Sequence, residues 1–359
     1  MHVLRRLAGA NSLIMAEIAV ASVRLGVACA LVLSSVLRIA LPAASSGAVE
    51  TLSATGGLPA HMVGQFEEAA GFVQTTSGEY LVLDRRAHTV YGVDAAKTSL
   101  RKVLEIGSEQ GHVLGPAVLA LSPDDTFAVA DAPAGAERIQ YFAASGQSLG
   151  GFYLQSSTAP RITIGPLVLN GVGSMAFSGH TFLVNRPESG ALISEFDTVG
   201  TVLHQFGTLR PTGFESDADL HLALNIGVPL VDPTGGFYFV FQTGAPMFRK
   251  YDASGTLLFE RHIEGSELDG SIQSLPTAWP RPNGTLPLVP PLVRTAAVDR
   301  SGRLWVSLIE PFTYVYDKRG EKTRTVQFQG ASTIAPASLF FTATNHLLVT
   351  PGCYEFAVK

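Results

Sequence analysis

This sequence has almost no cysteine, little charge and no apolar run fit for a bilayer, and each shortage removes a class of protein. Only Cys29 and Cys353 occur. Cys29 falls inside an N-terminal segment that reads as a leader, so the rest of the chain holds one thiol and cannot close an internal disulfide. Cys353 follows a Pro-Gly turn, opens an apolar strand, and reads as a small buried hydrophobe rather than a nucleophile. Charged residues make up 15% of the 359 positions, and the formal net charge is −5. Without a basic stripe or an array of stacking aromatics, nucleic acid is excluded as the expected partner. Common active-site signatures are missing too. There is no G-x-S-x-G elbow and no glycine loop for phosphate. His61, His88, His112, His180, His204, His221, His262 and His346 are spread singly, without zinc-ligand spacing.

What is present first is an address. Arg24 precedes LGVACALVLSSVL, thirteen uncharged residues at 25–37, and Arg38 ends the run. That is too short to span a bilayer comfortably, so cleavage is expected over the alternative, an uncleaved N-terminal anchor. Ser46-Gly47-Ala48 then supplies the small-x-small pattern that signal peptidase reads. Residues 1–48 are therefore expected to be a cleaved signal peptide. Residues 49–359 are expected to be a single exported domain, secreted or periplasmic, with no stable membrane span after cleavage. A lipid anchor on Cys29 is not expected, because Gly26 stands where a lipobox wants Leu. The 36 glycines and low charge suit a β-rich exported protein.

The chain also has a phrase that recurs. Residues 80–94 read YLVLDRRAHTVYGVD, and weaker versions occupy 127–142, 182–197, 237–252, 304–317 and 346–356. Each couples an apolar strand, a polar turn and a second strand ending in an aromatic or valine, usually followed by Asp. The closing positions are Val93, Phe142, Phe196, Tyr251, Tyr316 and Phe356, spaced by 49, 54, 55, 65 and 40 residues. Propeller blades take roughly 40–50 residues, with the surplus in loops. A turn and an apolar strand precede each phrase. A fourth strand follows the first five, at 99–106, 147–154, 201–206, 256–263 and 322–328. The expected fold is all-β: a six-bladed β-propeller of four-stranded antiparallel blades, since such a unit cannot bury its faces alone. The sixth phrase runs out at Lys359 before its fourth strand. Residues 49–54 are expected to supply that strand and close the ring. A seventh blade would have to hide in 264–293, which is Pro-rich and lacks alternation.

Val129-Ala130-Asp131 with Arg138-Ile139-Gln140-Tyr141-Phe142, and Leu83-Asp84 with His88-Thr89-Val90, are similar to the V-A-D, loop, R-I-Q-V-F pattern of NHL repeats. Residues 297–306, AVDRSGRLWV, are similar to another stretch common in that class. The chain thus resembles the NHL class of six-bladed propellers, a resemblance that specifies fold and not activity. A weaker resemblance, to gluconolactonase-like propellers, implies a metal-dependent hydrolase with a Glu, an Asn and an Asp around the cation. Glu67 or Glu68 and Asn170 match two of those positions. At the third stands Arg294, whose charge would repel a divalent metal. No metal and no other cofactor is expected.

In a four-stranded blade the turns after the second strands share one face with the connections between blades. Three connections, at 155–172, 207–225 and 264–293, are long enough to suggest function. The candidate ligand-binding residues on that face are Arg85, Arg86 and His88 in blade one, and Asn185, Arg186 and Glu188 in blade three. Gln242 in blade four and Arg294 and Glu310 in blade five complete the set. An anionic ligand gripped by Arg85, Arg86 and Arg186 is one expectation. Asn185, Arg186 and Glu310 are expected to point to the axial opening, and 264–293 to cover part of it. Asp84, Asp131 and Arg138 are expected instead to satisfy turn amides and pack between blades. Asp217, Asp219 and His221 read as a solvated loop rather than a cation site. The expected function is non-catalytic binding of a small molecule, peptide or partner protein by a monomer. A lactonase- or lyase-like hydrolytic enzyme, or an assembly module that docks a protein, are the alternatives left open.

Overall fold

The computed structural model describes residues 48–154, 173–279, 281 and 287–358, with the backbone alone of Ile162–Ile164 and Leu167–Leu169. The expected signal peptide lies outside the described residues but for Ala48. Among the described residues, no helix is long and apolar enough to cross a membrane.

Six antiparallel sheets follow one another along the chain. Their inner strands are Ala69–Gln74, Val118–Leu121, Met175–Ser178, Gly227–Val231, Val293–Val298 and Ser338–Phe341. Each inner strand packs beside the next, and the sixth returns to the first, so the ring is closed. The architecture is a six-bladed β-propeller.

The alternation of the second strands explains why the blades stack. In Tyr80–Asp84 every residue is buried, because both faces of the strand meet another blade. Leu81 and Leu83 turn to blade two, where Phe127 and Phe142 meet them. Tyr80 and Val82 turn to blade six and pack with Leu348 and Cys353. With a period of two, one strand serves two cores. The same logic gives a core at every junction: Ile139 with Phe182, Ile193 with Phe239, Tyr238 with Leu304, and Trp305 with Leu347. Each fully buried large apolar side chain contributes about 1.5–3 kcal/mol relative to exposure. An outer strand without a partner on one side shows it; Leu257–His262 is largely exposed.

The Asp that closes most phrases caps the turn into the outer strand. Asp94 accepts from the backbone N–H of Thr98 and Ser99, and Asp252 from those of Ser254 and Thr256. Asp197 and Asp317 repeat the arrangement.

Ring closure departs from the sequence expectation in register. An N-terminal strand does complete blade six, but it is Gly56–Gly57, opposite Glu355 and Tyr354. Residues 49–54 do not supply it. Glu50–Ser53 lies parallel on the outer strand of blade five, Glu50 opposite Val326 and Ser53 opposite Gln329. Two contacts hold it there. Leu52 and Ala54 pack on the core between blades five and six, and Arg324 donates from Nε and Nη2 to the Glu50 carboxylate at 2.8 Å each.

The long connections are not featureless. That between blades three and four carries helix Ala218–Ala223, and that between four and five carries helix Ser266–Gln273. Strand Leu288–Val289 pairs in parallel with Ile162–Ile164 of the connection between blades two and three. Val289 also packs on Leu220, Ala223 and Leu224. All three long connections therefore join in one assembly on the same face.

Candidate binding site on the loop-bearing face

Blade four and two of these connections enclose a cavity of about 430 Å³. Its floor follows from strand register. Met247 lies opposite His262 and Arg249 opposite Glu260, so these four side chains share one face of the sheet. The connection between blades three and four adds Arg210, Pro211, Thr212, Phe214 and Leu224. The connection between four and five closes the other side with Leu275, Pro276, Thr277 and Trp279. Arg281 staples the two connections together by pairing with Asp217 and with Asp219, the latter at 3.4 Å. Asp217 also caps its helix by accepting from the Leu220 amide. The Asp217, Asp219, His221 run thus finds its counter-charge in the chain itself.

Arg210 is the most constrained group in the wall. Its guanidinium lies 4.4 Å over the Phe241 ring. Nε donates to the Leu224 carbonyl at 3.1 Å, Nη1 to that of Ala245 at 2.6 Å, and Nη2 to those of Leu224 and Thr243. Gly244 makes the room, since a β-carbon there would stand 2.6 Å from Nη2. Burial, and secondarily the charge of Arg249, lower the Arg210 pKa to about 10, so it stays charged at neutral pH. Arg249 is paired: its Nε donates to Glu260 at 2.5 Å and its Nη1 to the Thr208 carbonyl.

The residues expected from the sequence fall into three groups. Asn185 and Arg186 are buried, 6% and 8% exposed, rather than presented at a rim. Asn185 ties blade three to blade four, donating to the Leu192 carbonyl at 2.8 Å and accepting from the Gly227 amide at 3.1 Å. Arg186 donates to Glu188 at 2.7 Å. Both face Glu137 of blade two, whose pKa is raised by burial, opposed by Arg186 and reinforced by Glu188. A second group is spent on neighbouring loops. Arg85 pairs with Glu68, His88 accepts from the Gly115 amide at 3.0 Å, and Gln242 donates to the Arg294 carbonyl at 2.9 Å. Glu310 accepts from Ser271 at 2.8 Å, within the same loop assembly. Arg86 is exposed. None of these residues lines the cavity beside blade four.

Asp84, Asp131 and Arg138 satisfy turn and loop groups, as the sequence suggests. Asp84 accepts from the amides of Glu67, Glu68 and Ala87. Arg138 joins Asp131 at 2.6 Å and binds the carbonyls of Ser108 and His112. Cys353 is buried, which pushes its thiol up to about 12, a poor setting for a nucleophile.

The donor set implied for a divalent cation does not fit the residues present. The Glu68 carboxylate is neutralised by Arg85, Glu67 is exposed, and Arg294 donates to the Ile309 carbonyl from Nε and Nη2. Asn170 lies outside the described residues. Among the described residues, no three His, Cys, Asp or Glu side chains group to hold a metal.

Sequence reasoning missed Arg210, Arg249 and Trp279. The only local signal was Arg210-Pro211 at the head of a long connection, because the cavity unites positions far apart in the chain.

No protein-family model and no curated protein matches this chain. Solved structures do match in fold. A Bacteroides thetaiotaomicron protein of unknown function gives a TM-score of 0.52 at 13% identity, over 82% of this chain and 70% of its own. A gluconolactonase from Xanthomonas campestris gives 0.48 at 13% identity, over 84% and 93%. A streptogramin B lyase gives 0.48 at 11% identity, over 80% and 91%. At such identities these similarities carry nothing about activity.

Proposed function

We propose that this propeller is a non-catalytic binding protein that takes a small molecule into the cavity beside blade four, and that it works outside the cytoplasm. The observation that carries the reading is the cavity itself, about 430 Å³ and walled by two connections far longer than ring closure needs. Ligand sites typically fall in the range of about 300–1,000 Å³, mostly apolar with a few convergent polar groups. Here Phe214, Leu224, Met247 and Trp279 supply apolar wall, and Arg210, Arg249 and His262 the polar groups. Ordering long loops costs chain entropy, and a binding role offers a reason to retain them. The support for export is the uncharged run after Arg24 and the small residues at 46–48.

Native mass spectrometry of the protein after incubation with a metabolite extract tests the binding reading. Thr277 is exposed at the cavity wall, so Thr277→Trp should fill the space without disturbing the core. An added mass on the wild type that is lost from the variant is the expected result. An added mass retained equally by both, or none on either, overturns the assignment.

A further inference from the structure

The cavity carries a charge that the protein does not balance. Two guanidiniums line it, and one carboxylate, that of Glu260, pairs with Arg249. Among the described residues, Arg210 has no carboxylate within ion-pair distance. Backbone carbonyls accept from its N–H groups, and Glu260, already paired with Arg249, is the one lining carboxylate whose charge reaches it, so two cations share one anion. The surrounding wall is largely apolar, with Phe214, Leu224, Met247, Leu275 and Pro276, so that charge is felt in a medium that screens poorly. Trp279, on the opposite wall, has its indole Nε1 buried without an acceptor.

We propose that the cavity selects a small monoanionic acid with an apolar or aromatic body, an assignment that rests on the cavity being the binding site. The acid group supplies the negative charge by which the two arginines exceed Glu260. The body of the molecule covers the apolar wall. A neutral molecule of the same shape would leave the cationic excess unmet. A cationic one would add to it. Anion selection therefore follows from the arginine and carboxylate count, and body selection from the wall.

The test compares 2-naphthoate with 2-naphthamide by isothermal titration calorimetry, because the two share a body and differ in charge. Wild-type protein should bind naphthoate about tenfold tighter or more, the scale on which a charged acceptor outdoes a neutral one beside a cation. Glu260→Gln removes the one opposing carboxylate and should widen the preference for naphthoate over naphthamide by raising naphthoate affinity. Thr277→Trp should abolish both. Equal affinities for acid and amide, or naphthoate binding indifferent to Glu260→Gln, overturn the anion assignment while leaving a binding cavity in place. Naphthoate binding that survives Thr277→Trp, or no naphthoate binding at millimolar concentration, also overturns it. The metabolite experiment reads the cavity assignment separately.

Discussion

The carbonyl oxygen of Cys353 sits so close to Gly57 that a β-carbon on Gly57 would stand 2.5 Å from it. Gly57 also has φ +148°, a conformation that side chains rarely adopt. The strand that closes blade six is therefore specified by an absence, a residue with nothing to collide. Gly57→Ala should destabilise the fold by roughly 2–5 kcal/mol, combining backbone strain with overpacking. Gly111→Ala is the control: φ there is +90°, but no atom lies within 4 Å, so only strain remains. Urea unfolding of both variants checks the difference. Equal losses would show that the approach to Cys353 does not limit closure.

Truncation separates the two N-terminal pairings. Deletion through Ser53 removes the parallel strand on blade five and the Glu50–Arg324 pair. Deletion through Leu58 also removes Gly56–Gly57 and the bonds from the Thr55 and Leu58 amides to the carbonyls of Glu355 and Cys353. At about 0.5–1.5 kcal/mol net per hydrogen bond, the longer deletion should lower the melting temperature clearly further than the shorter. Thermal unfolding by circular dichroism reads this directly. A longer deletion no worse than the shorter would mean that the ring does not depend on its latch.

The capped turns predict acid sensitivity. Hydrogen bonds from the Ser99 amide and then from Thr98 lower the Asp94 carboxyl to about 2, and the same kind of bond lowers Asp197, Asp252 and Asp317. A carboxyl with a depressed folded pKa contributes stability above its unfolded value near 4, and loses it as pH falls through the folded value. Stability should therefore drop between about pH 4 and pH 2. Replacing all four by Asn keeps an acceptor oxygen but removes the titration, so the drop should flatten. Urea midpoints measured across that acid range give the slope; an unchanged slope in the quadruple variant would remove these turns as its cause.

Most of the fold was legible because its pattern is local. Tyr80–Asp84 and its counterparts are mostly apolar in unbroken runs, which a strand buried on both faces favours, and the spacing of the phrases gives the blade count. The closure register was not legible, since Gly56 and Gly57 carry no side-chain pattern and their partners lie some 300 residues away. The site was less legible still. Asn185 reads the same whether it meets a ligand or a backbone amide, and only the arrival of Gly227 decides. Arg210 and Trp279 share a wall because two connections fold together, and no spacing in the chain announces that.

Export gives a direct chemical prediction. If the uncharged run at 25–37 and the small residues at 46–48 act as a signal, the secreted protein should begin near Val49. That end would leave Glu50–Ser53 intact to pair with blade five. N-terminal sequencing or intact mass decides the matter, and a secreted protein retaining residues 1–40 would refute cleavage.

The polar residues of the loop-bearing face should separate sharply under mutation. Asn185 is buried and bonded on both sides of its amide, to Leu192 and Gly227 in two different blades. Asn185→Ala leaves a buried carbonyl and a buried N–H without partners, at about 1–3 kcal/mol for each unmet group. The expected loss is roughly 2–5 kcal/mol, with the melting temperature falling by several degrees. Arg86 is exposed, and Arg86→Ala should stay within about 0.5 kcal/mol of wild type. Neither variant should alter binding of naphthoate in the cavity beside blade four, provided it is measured well below the melting temperature of Asn185→Ala. Chemical unfolding and calorimetry on the same two proteins check both halves. If Asn185→Ala were as stable as wild type but failed to bind, the residue would belong to a ligand site after all, and the junction between blades three and four would not depend on it.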